Sequence, residues 1–190
     1  SNLIEISFDV YKKIAYRAST EGVIVISESK DLALNNLKLK DQHQLVLVAE
    51  APEKPGNIGA ILRTADAANV DTVIIANPKT ELFNPNIIRS SLGSVFTSQI
   101  ATGSTDEVIK FLINNKIKIY STFIKNSVDF TSVDYKGSCA IIVGTESSSL
   151  TKEWASKSTE LIKISPKPMF VKLFIYADNS SSELIISSSQ

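Results

Sequence analysis

The sequence holds one cysteine and one histidine, Cys139 and His43, in 190 residues. A single cysteine excludes an intrachain disulfide, and this pair argues against a zinc site of histidine and cysteine ligands. A Ser-His-Asp triad would need His43 as its base, and no G-x-S-x-G motif accompanies it. We therefore expect no metal, and we interpret Cys139, in "SCAIIVG", as a small buried apolar residue.

The chain also lacks an excess of either charge, with 20 basic and 20 acidic residues. Any site for a polyanion must therefore be local. No apolar run reaches the roughly 18 residues of a membrane helix, and the N-terminus shows no signal-peptide pattern. These absences predict a cytoplasmic protein without membrane contact. The length and the 43% hydrophobic content favour one main folded core.

Short runs of β-forming residues alternate with helical patterns from residue 45 onward. The predicted strands are "LVLVA", "DTVIIA", "IKIYSTF", "CAIIVG" and "LIKI", and the predicted helices are 57–69, 104–115 and 150–158. Such alternation is typical of an α/β fold, a mostly parallel sheet with helices on both faces. Neither G-x-G-x-x-G nor G-x-x-x-x-G-K-[ST] is present, which argues against a Rossmann-type nucleotide enzyme.

The first 44 residues differ from this pattern. "SFDVYKKIAYRAS" predicts a helix, "GVIVIS" a strand, and "ESKDLALNNLKLKDQHQ" a polar connector. We interpret residues 1–44 as an attachment to the main domain, 45–190, with its strand at a sheet edge or in the remainder of a preceding domain.

An arginine stands among apolar residues in "PGNIGAILRTADAANVDTVII", Pro55 to Ile75. Pro55 and Gly56 predict a turn, Asn57 a helix N-cap, and Gly59 a close backbone approach in the first helical turn. The helical pattern places Arg63 away from the buried stripe. From spacing alone, Arg63 is either a functional residue or a surface arginine paired with Asp66.

Two further segments carry polar groups. In "IIVGTESSSL" a buried strand ends at Gly144 and Glu146 follows, where a cofactor would bind an open α/β sheet, although Glu146 could instead cap the next helix. In "NPNIIRSSLGSVFTSQI" we predict a loop in which Arg89 and Ser91 suit phosphate or ribose contacts. A structural turn with a surface arginine is the alternative there.

Together, in this order and spacing, the three segments resemble the SpoU (TrmH-type) RNA ribose methyltransferases of the SPOUT superfamily. "PGNIGAILRTADAANVDTVII" is similar to the family's first motif, "LFNPNIIRSSLGSVF" to the segment after it, and "IIVGTESSSL…LIKI" to the second motif running into the third. The resemblance covers roughly residues 4 to 164. It implies that residues 1–44 contain the end of an N-terminal RNA-binding domain plus a linker, and that 45–190 is the catalytic domain.

The resemblance implies a fold, an activity and a set of site residues. Family members transfer a methyl group from S-adenosylmethionine to a ribose 2′-hydroxyl of tRNA or rRNA, work as homodimers, and end in a C-terminal trefoil knot. By carry-over, the catalytic residues are Arg63, Asn57 and Glu146, the cofactor-binding residues include Gly144 and Ile164, and the RNA-binding residues are Arg89 and Ser91. Arg63 would orient the hydroxyl and a neighbouring phosphate, or act as the base.

The C-terminal segment departs from the family pattern. Ser149 stands where the family has glycine, and "ISPKPM" stands for the family's "IPM". An ungapped alignment gives Leu173 as a cofactor contact and Phe174 at the family's asparagine. An alignment with an insertion gives Met169 and Asn179 instead. These departures leave an alternative function, a catalytically inactive RNA-binding paralogue with the same fold.

Overall fold

The computed structural model describes residues 3–16, 22–41, 43–145 and 150–164, and the backbone of 171–175 and 182–186. The chain divides into two compact units, Ser1–Lys30 and Asp31–Gln190. This boundary lies earlier than the predicted one at residue 44, so residues 31–44 belong to the larger unit. The assignment of the first 44 residues to an RNA-binding domain stays a prediction.

The smaller unit contains one helix, α1 (Phe8–Ile14), capped by the Ser7 side chain, which accepts a 3.4 Å hydrogen bond from the Val10 backbone N–H. The predicted helix is thus confirmed in this part. The predicted strand "GVIVIS" is wrong, because residues 22–27 form no strand. A strand requires a neighbour to pair its backbone groups, and among the described residues none pairs with this segment.

The larger unit contains a seven-stranded sheet in the order β3-β2-β1-β6-β4-β7-β5. Every pair of neighbouring strands is parallel. The strands are β1 (Leu45–Glu50), β2 (Thr72–Ala76), β3 (Ile100–Gly103), β4 (Lys118–Thr122), β5 (Val128–Asp129), β6 (Cys139–Val143) and β7 (Glu160–Lys163). Its helices are α2 (Pro55–Ala67), α3 (Pro85–Ser90), α4 (Ser94–Thr97), α5 (Thr105–Asn114) and α6 (Lys152–Lys157), with 3₁₀ turns at Leu34–Asn36 and Phe130–Ser132.

Helices cover both faces of this sheet, as predicted. One apolar core joins α5 and α6 to β1, β2, β4 and β6, with Trp154 and Leu112 fully buried. The other joins α2, α3 and α4 to the opposite face of β1 and β2, with Ile58, Leu62 and Ile87 fully buried. Because strands in the middle of such a sheet lie between two helix layers, they are apolar on both faces, and all five residues of β2 are buried.

The predicted connector packs along the β3 edge of the sheet. Ala33 forms a parallel bridge with Thr102, whose backbone N–H donates to the Leu32 carbonyl at 2.8 Å. Gln99 holds Lys38 by two hydrogen bonds, accepting from its N–H at 2.9 Å and donating to its carbonyl at 3.1 Å. Residues 31–40 therefore cover an edge that would otherwise present unpaired backbone groups.

Beyond β7 the described backbone forms an antiparallel pair, β8 (Val171–Ile175) and β9 (Ser182–Ile186). Leu173 lies opposite Leu184, and Phe174 opposite Glu183. Met169 and Asn179 fall outside the described residues. The trefoil knot stays a prediction, because residues 165–170 and 176–181 also fall outside them.

Among the described residues, no helix is long and apolar enough to cross a membrane. In the same part of the chain, no group of three or more histidine, cysteine, aspartate or glutamate side chains is placed to hold a metal ion. Cys139 is buried in β6, as predicted.

Candidate active site

The strand order reverses between β1 and β6. From β1 the chain proceeds through β2 and β3 toward one edge of the sheet, and later strands extend the other side. Ligands of open α/β sheets bind at the carboxyl ends of strands where such a reversal occurs. Ala49 of β1 lies beside Val143 of β6, so the next residues, Glu50 and Gly144, are neighbours at this position. Gly144 is exposed at this edge of the sheet, and its role in cofactor binding stays a prediction.

The carboxyl end of β4 lies between two predicted cofactor residues, Gly144 after β6 and Ile164 after β7. Thr122 donates a 3.0 Å hydrogen bond from its hydroxyl to the Ile142 carbonyl, and the Phe123 N–H donates to the Ile162 carbonyl at 2.9 Å. Sequence reasoning recognised this strand but missed its last residues as site candidates. Only the strand order places Thr122 and Phe123 between the other two loops.

Helix α2 starts at Pro55, two residues before the predicted start. Lys54 is the N-cap residue and makes no side-chain capping bond. The prediction of Asn57 as the N-cap is therefore wrong. Proline is favoured at the first helical position because that N–H needs no partner within the helix. Asn57 is instead the third helical residue, and its side chain is exposed near the carboxyl edge of the sheet.

Arg63 is exposed on α2, on the side away from the buried Ile58, Leu62 and Ala65. The predicted orientation is confirmed. The ion pairs found among the described residues do not include one between Arg63 and Asp66. The guanidinium is thus carried by a helix anchored in the core.

Gly59 of α2 contacts Ser90 of α3. A Cβ atom at position 59 would lie 2.7 Å from the Ser90 Cβ, a distance that real Cβ atoms essentially never show. The Ser90 hydroxyl donates to the Asn86 carbonyl at 2.7 Å, with the Pro55 carbonyl of α2 at 3.3 Å. The predicted close approach at Gly59 is confirmed, and its partner is a serine that sequence reasoning had not singled out.

Arg89 lies in α3, whereas Ser91 is the C-cap residue in the turn of residues 91–93, so the predicted loop is wrong for Arg89 and confirmed for Ser91. Asn84 caps α3 by accepting a 2.9 Å hydrogen bond from the Asn86 N–H, and Pro85 occupies the first helical position. Arg89 is exposed. Ser91 is 1% exposed, and its hydroxyl donates to the Ile88 carbonyl at 3.0 Å. Of the two predicted RNA contacts, the structure therefore presents Arg89 at the surface and turns Ser91 inward.

A buried carboxylate lies at the same edge of the sheet, and sequence reasoning missed it. Glu50, the last residue of β1, is 7% exposed. Its oxygens accept from the Trp154 Nε1 at 2.8 Å, from the Asn77 Nδ2 at 2.7 Å and from the Thr105 hydroxyl at 2.9 Å. Asn77 also contacts the Thr105 hydroxyl oxygen at 2.6 Å. The sequence around Glu50 could not predict this network, because its partners lie 27, 55 and 104 residues further along the chain.

The side chains of three predicted site residues lie outside the described part of the structure. Glu146 and Met169 fall outside the described residues, and Leu173 is described by its backbone in β8 alone. Their predicted roles stay predictions. The described candidates thus form two groups, Gly144, Thr122 and Ile164 at the carboxyl ends of the strands, and Asn57, Arg63 and Arg89 on α2 and α3.

Residues 44–173 match the SpoU rRNA Methylase family. The chain belongs to this family. The predicted family membership is therefore confirmed, and the matched range includes the sheet, the helix of Arg63 and the strand end at Gly144.

Among SpoU relatives, the chain is 33% identical over 101 residues to the 23S rRNA (guanosine(2553)-2'-O)-methyltransferase RlmP of Bacillus subtilis, which covers 53% of this chain and 41% of RlmP. A structure of an AdoMet-bound rRNA methyltransferase from Sinorhizobium meliloti has a TM-score of 0.78 and 27% identity, over 85% of this chain and 62% of that one. The SpoU methyltransferase AviRb from Streptomyces viridochromogenes shares the fold, with a TM-score of 0.67 and 23% identity, over 81% of this chain and 59% of AviRb. The matched part therefore spans about two fifths to three fifths of the length of each relative.

Proposed function

We propose that this chain contains the catalytic domain of an S-adenosylmethionine-dependent RNA methyltransferase that modifies a ribose 2′-hydroxyl of tRNA or rRNA. The observation that carries the proposal is the placement of the first motif of this SpoU chain. Its arginine, Arg63, is exposed on a helix whose opposite side is buried, and no described carboxylate is paired with it. An exposed arginine held by a rigid helix is suited to an anionic substrate.

The carboxyl ends of β6, β4 and β7 fit the proposed cofactor. Gly144 is exposed and has no side chain, so backbone N–H and carbonyl groups are accessible there. Ile164 and Phe123 supply half-buried apolar surface on the adjacent ends, and a ligand of this kind is held by apolar walls with a few backbone contacts. When bound, S-adenosylmethionine supplies an electrophilic methyl group on its sulfonium sulfur. Glu146, Met169 and Leu173 remain candidates for the same site by family carry-over.

We propose that Arg63 positions the RNA for transfer. A guanidinium has five N–H donors and stays charged, so its favoured contacts are a phosphate and the 2′-hydroxyl oxygen. Holding the hydroxyl in line with the methyl group would accelerate methyl transfer, because the reacting atoms are then already oriented. Action as the base is the other role left open by the family resemblance, and it would require a guanidinium, which normally stays charged, to accept a proton in its neutral form. Asn57, exposed in the first turn of the same helix, is proposed to shape the adjacent loop.

RNA is the proposed substrate, and Arg89 is a proposed phosphate contact because it is exposed on α3, the helix that packs against α2 at Gly59. RlmP and the Sinorhizobium enzyme are both named as rRNA methyltransferases. Homodimer formation stays a prediction from the family resemblance, and a cytoplasmic location stays a prediction from the sequence.

Two measurements test the function. Calorimetric titration of S-adenosylhomocysteine into the folded protein is expected to show binding, and Gly144→Trp is expected to abolish it by filling the exposed strand end. Incubation with labelled S-adenosylmethionine and unmodified tRNA or rRNA is then expected to place the label on a ribose 2′-oxygen. Arg63→Ala is expected to lower kcat/KM by about 100-fold or more, the range for loss of one charge-stabilising donor.

Lys110→Ala is the matched control, because Lys110 is an exposed cation on α5, a helix on the opposite face of the sheet. It is expected to retain full activity. A folded protein that binds RNA but not S-adenosylhomocysteine would contradict the enzyme assignment and identify an inactive RNA-binding paralogue. An equal loss of kcat/KM in Arg63→Ala and Lys110→Ala would show that Arg63 contributes only general positive charge.

A further inference from the structure

The Glu50 carboxylate accepts hydrogen bonds from three separate parts of the chain. Its donors come from α6 (Trp154), from the residue after β2 (Asn77) and from the first residue of α5 (Thr105). The sequence separations are 104, 27 and 55 residues, so none of these contacts is local. Trp154 is fully buried, and the Glu50–Trp154 hydrogen bond is buried with it.

A buried carboxylate is costly unless hydrogen bonds compensate it. The ion pairs of the described residues do not include Glu50, so the compensation there comes from neutral donors. Three donors from three elements hold the carboxylate in one orientation, and they in turn are held by it. Replacing a buried polar or ionic group by a well-packed apolar residue is often neutral or stabilising, so we interpret this network as fixing geometry and not as adding stability.

Glu50 also lies between the two ends of one chain segment. On one side, the parallel ladder of β1 and β6 places Gly144 next to it. On the other side, Trp154 reaches it from α6, which begins at Lys152. Residues 145–151 connect these two points. The start of this connection therefore lies beside the backbone of Glu50, and the helix at its end is bound to the Glu50 carboxylate through the indole N–H.

We propose that Glu50 is a positioning residue that fixes α6 relative to the carboxyl ends of β1 and β6 by binding Trp154. The proposal rests on the proposed function, in which Gly144 at the end of β6 belongs to the cofactor site. Glu50 itself is buried away from substrate and acts through α6. Loss of a donor to Glu50 is therefore expected to weaken cofactor binding in a protein that remains folded.

The structure offers a matched pair of substitutions. Thr105→Val removes one donor to Glu50 at the carboxyl ends of the strands. Thr72→Val removes another buried threonine hydroxyl, which accepts a 3.0 Å hydrogen bond from the Gln44 Nε2 at the amino ends of β1 and β2. Both changes keep the side-chain shape and remove a buried hydroxyl. Thr105→Val removes the bond to Glu50 and the bond accepted from Asn77, whereas Thr72→Val removes one bond outside the Glu50 network.

The first readout is the Kd for S-adenosylhomocysteine, measured by calorimetry well below the unfolding temperature of each variant. Thr105→Val is expected to raise Kd about tenfold, the size of one hydrogen bond to a charged group, and Thr105→Ser to restore it. Thr72→Val is expected to leave Kd unchanged. Trp154→Phe removes the indole N–H while keeping an aromatic ring, and is expected to raise Kd by a similar factor.

The second readout needs no cofactor. Hydrogen exchange of the amides of residues 150–155 is expected to accelerate about tenfold in Thr105→Val and Trp154→Phe, but not in Thr72→Val. Equal amide exchange rates in all three variants would overturn the proposal. Failure of both Thr105→Val and Trp154→Phe to fold, while Thr72→Val folds, would overturn it as well. If the wild-type protein binds no S-adenosylhomocysteine, the proposed function fails, and the exchange rates alone decide the role of Glu50.

Discussion

Ser90 of α3 occupies the space that a side chain at Gly59 of α2 would need. A Cβ atom there would lie 2.7 Å from the Ser90 Cβ and 2.8 Å from its carbonyl carbon. The two helices therefore meet nearly backbone to backbone. This contact brings together the helix of Arg63 and the helix of Arg89, the two exposed arginines proposed to bind RNA.

Gly59→Ala is expected to destabilise the protein by about 1–3 kcal/mol, because the added methyl group must displace the backbone of α3. Urea unfolding measures this difference. Gly56→Ala is the matched control, three residues earlier in the same helix, where a Cβ atom would meet nothing within 4 Å. It is expected to be neutral or stabilising by about 0.4–1 kcal/mol. Equal free energies of unfolding for the two variants would contradict the close contact.

Asn84 and Asn57 differ in role despite their similar settings near a proline. Asn84 caps α3 through its side chain, whereas Asn57 is exposed inside the first turn of α2. Asn84→Ala is expected to cost about 1 kcal/mol of stability, and Asn57→Ala less than about 0.5 kcal/mol. Thermal or urea unfolding separates them. In the methyl-transfer assay the order should reverse, with the larger loss of activity for Asn57→Ala. A loss of stability in Asn57→Ala as large as that in Asn84→Ala would contradict the exposed position of Asn57.

Arg89 and Ser91 provide a test of the RNA-facing side of α3. Arg89→Ala is expected to weaken binding to RNA of any sequence and to lower the salt dependence of log K by about 0.7 to 1, as for the loss of one phosphate contact. Ser91→Ala removes an inward hydrogen bond to the Ile88 carbonyl, so it should change stability and leave RNA affinity unaltered. Filter binding over a salt series measures both. A salt slope that changes only for Ser91→Ala would refute this arrangement.

Ionisation of the Cys139 thiol is expected to lower the stability of the folded protein at alkaline pH. Burial, which outweighs the opposing charge of Lys118, raises the pKa of Cys139 from 9.0 to about 11. Because the unfolded thiol ionises first, its contribution is fully present below pH 9 and is lost as pH rises toward 11, at about 1.4 kcal/mol per pH unit. Urea unfolding between pH 8 and 10.5 should show a steeper decline for the wild-type protein than for Cys139→Ala. Parallel curves would mean that the thiol titrates normally in the folded protein.

Local patterns predicted most of the elements. The runs "LVLVA", "DTVIIA" and "CAIIVG" form β1, β2 and β6 within one residue of the predicted bounds, because strands buried on both faces are continuously apolar. The same reasoning failed at "GVIVIS", where the apolar run has no partner strand among the described residues. It also missed α3 and α4, because the serine, glycine and arginine residues of this stretch were interpreted as a loop.

The sequence by itself determined the α/β class, the family and the exposed side of α2 on which Arg63 stands, since these follow from periodicity and from motifs within short stretches. Tertiary structure alone decided that β6 lies beside β1, that Ser90 fills the space at Gly59 and that Trp154 binds Glu50. Each of these contacts joins residues far apart along the chain, and their pairing depends on which surfaces pack together once the loops have closed. No local pattern records that choice, so the positions of Gly144, Thr122 and Ile164 along one edge became visible only in the folded sheet.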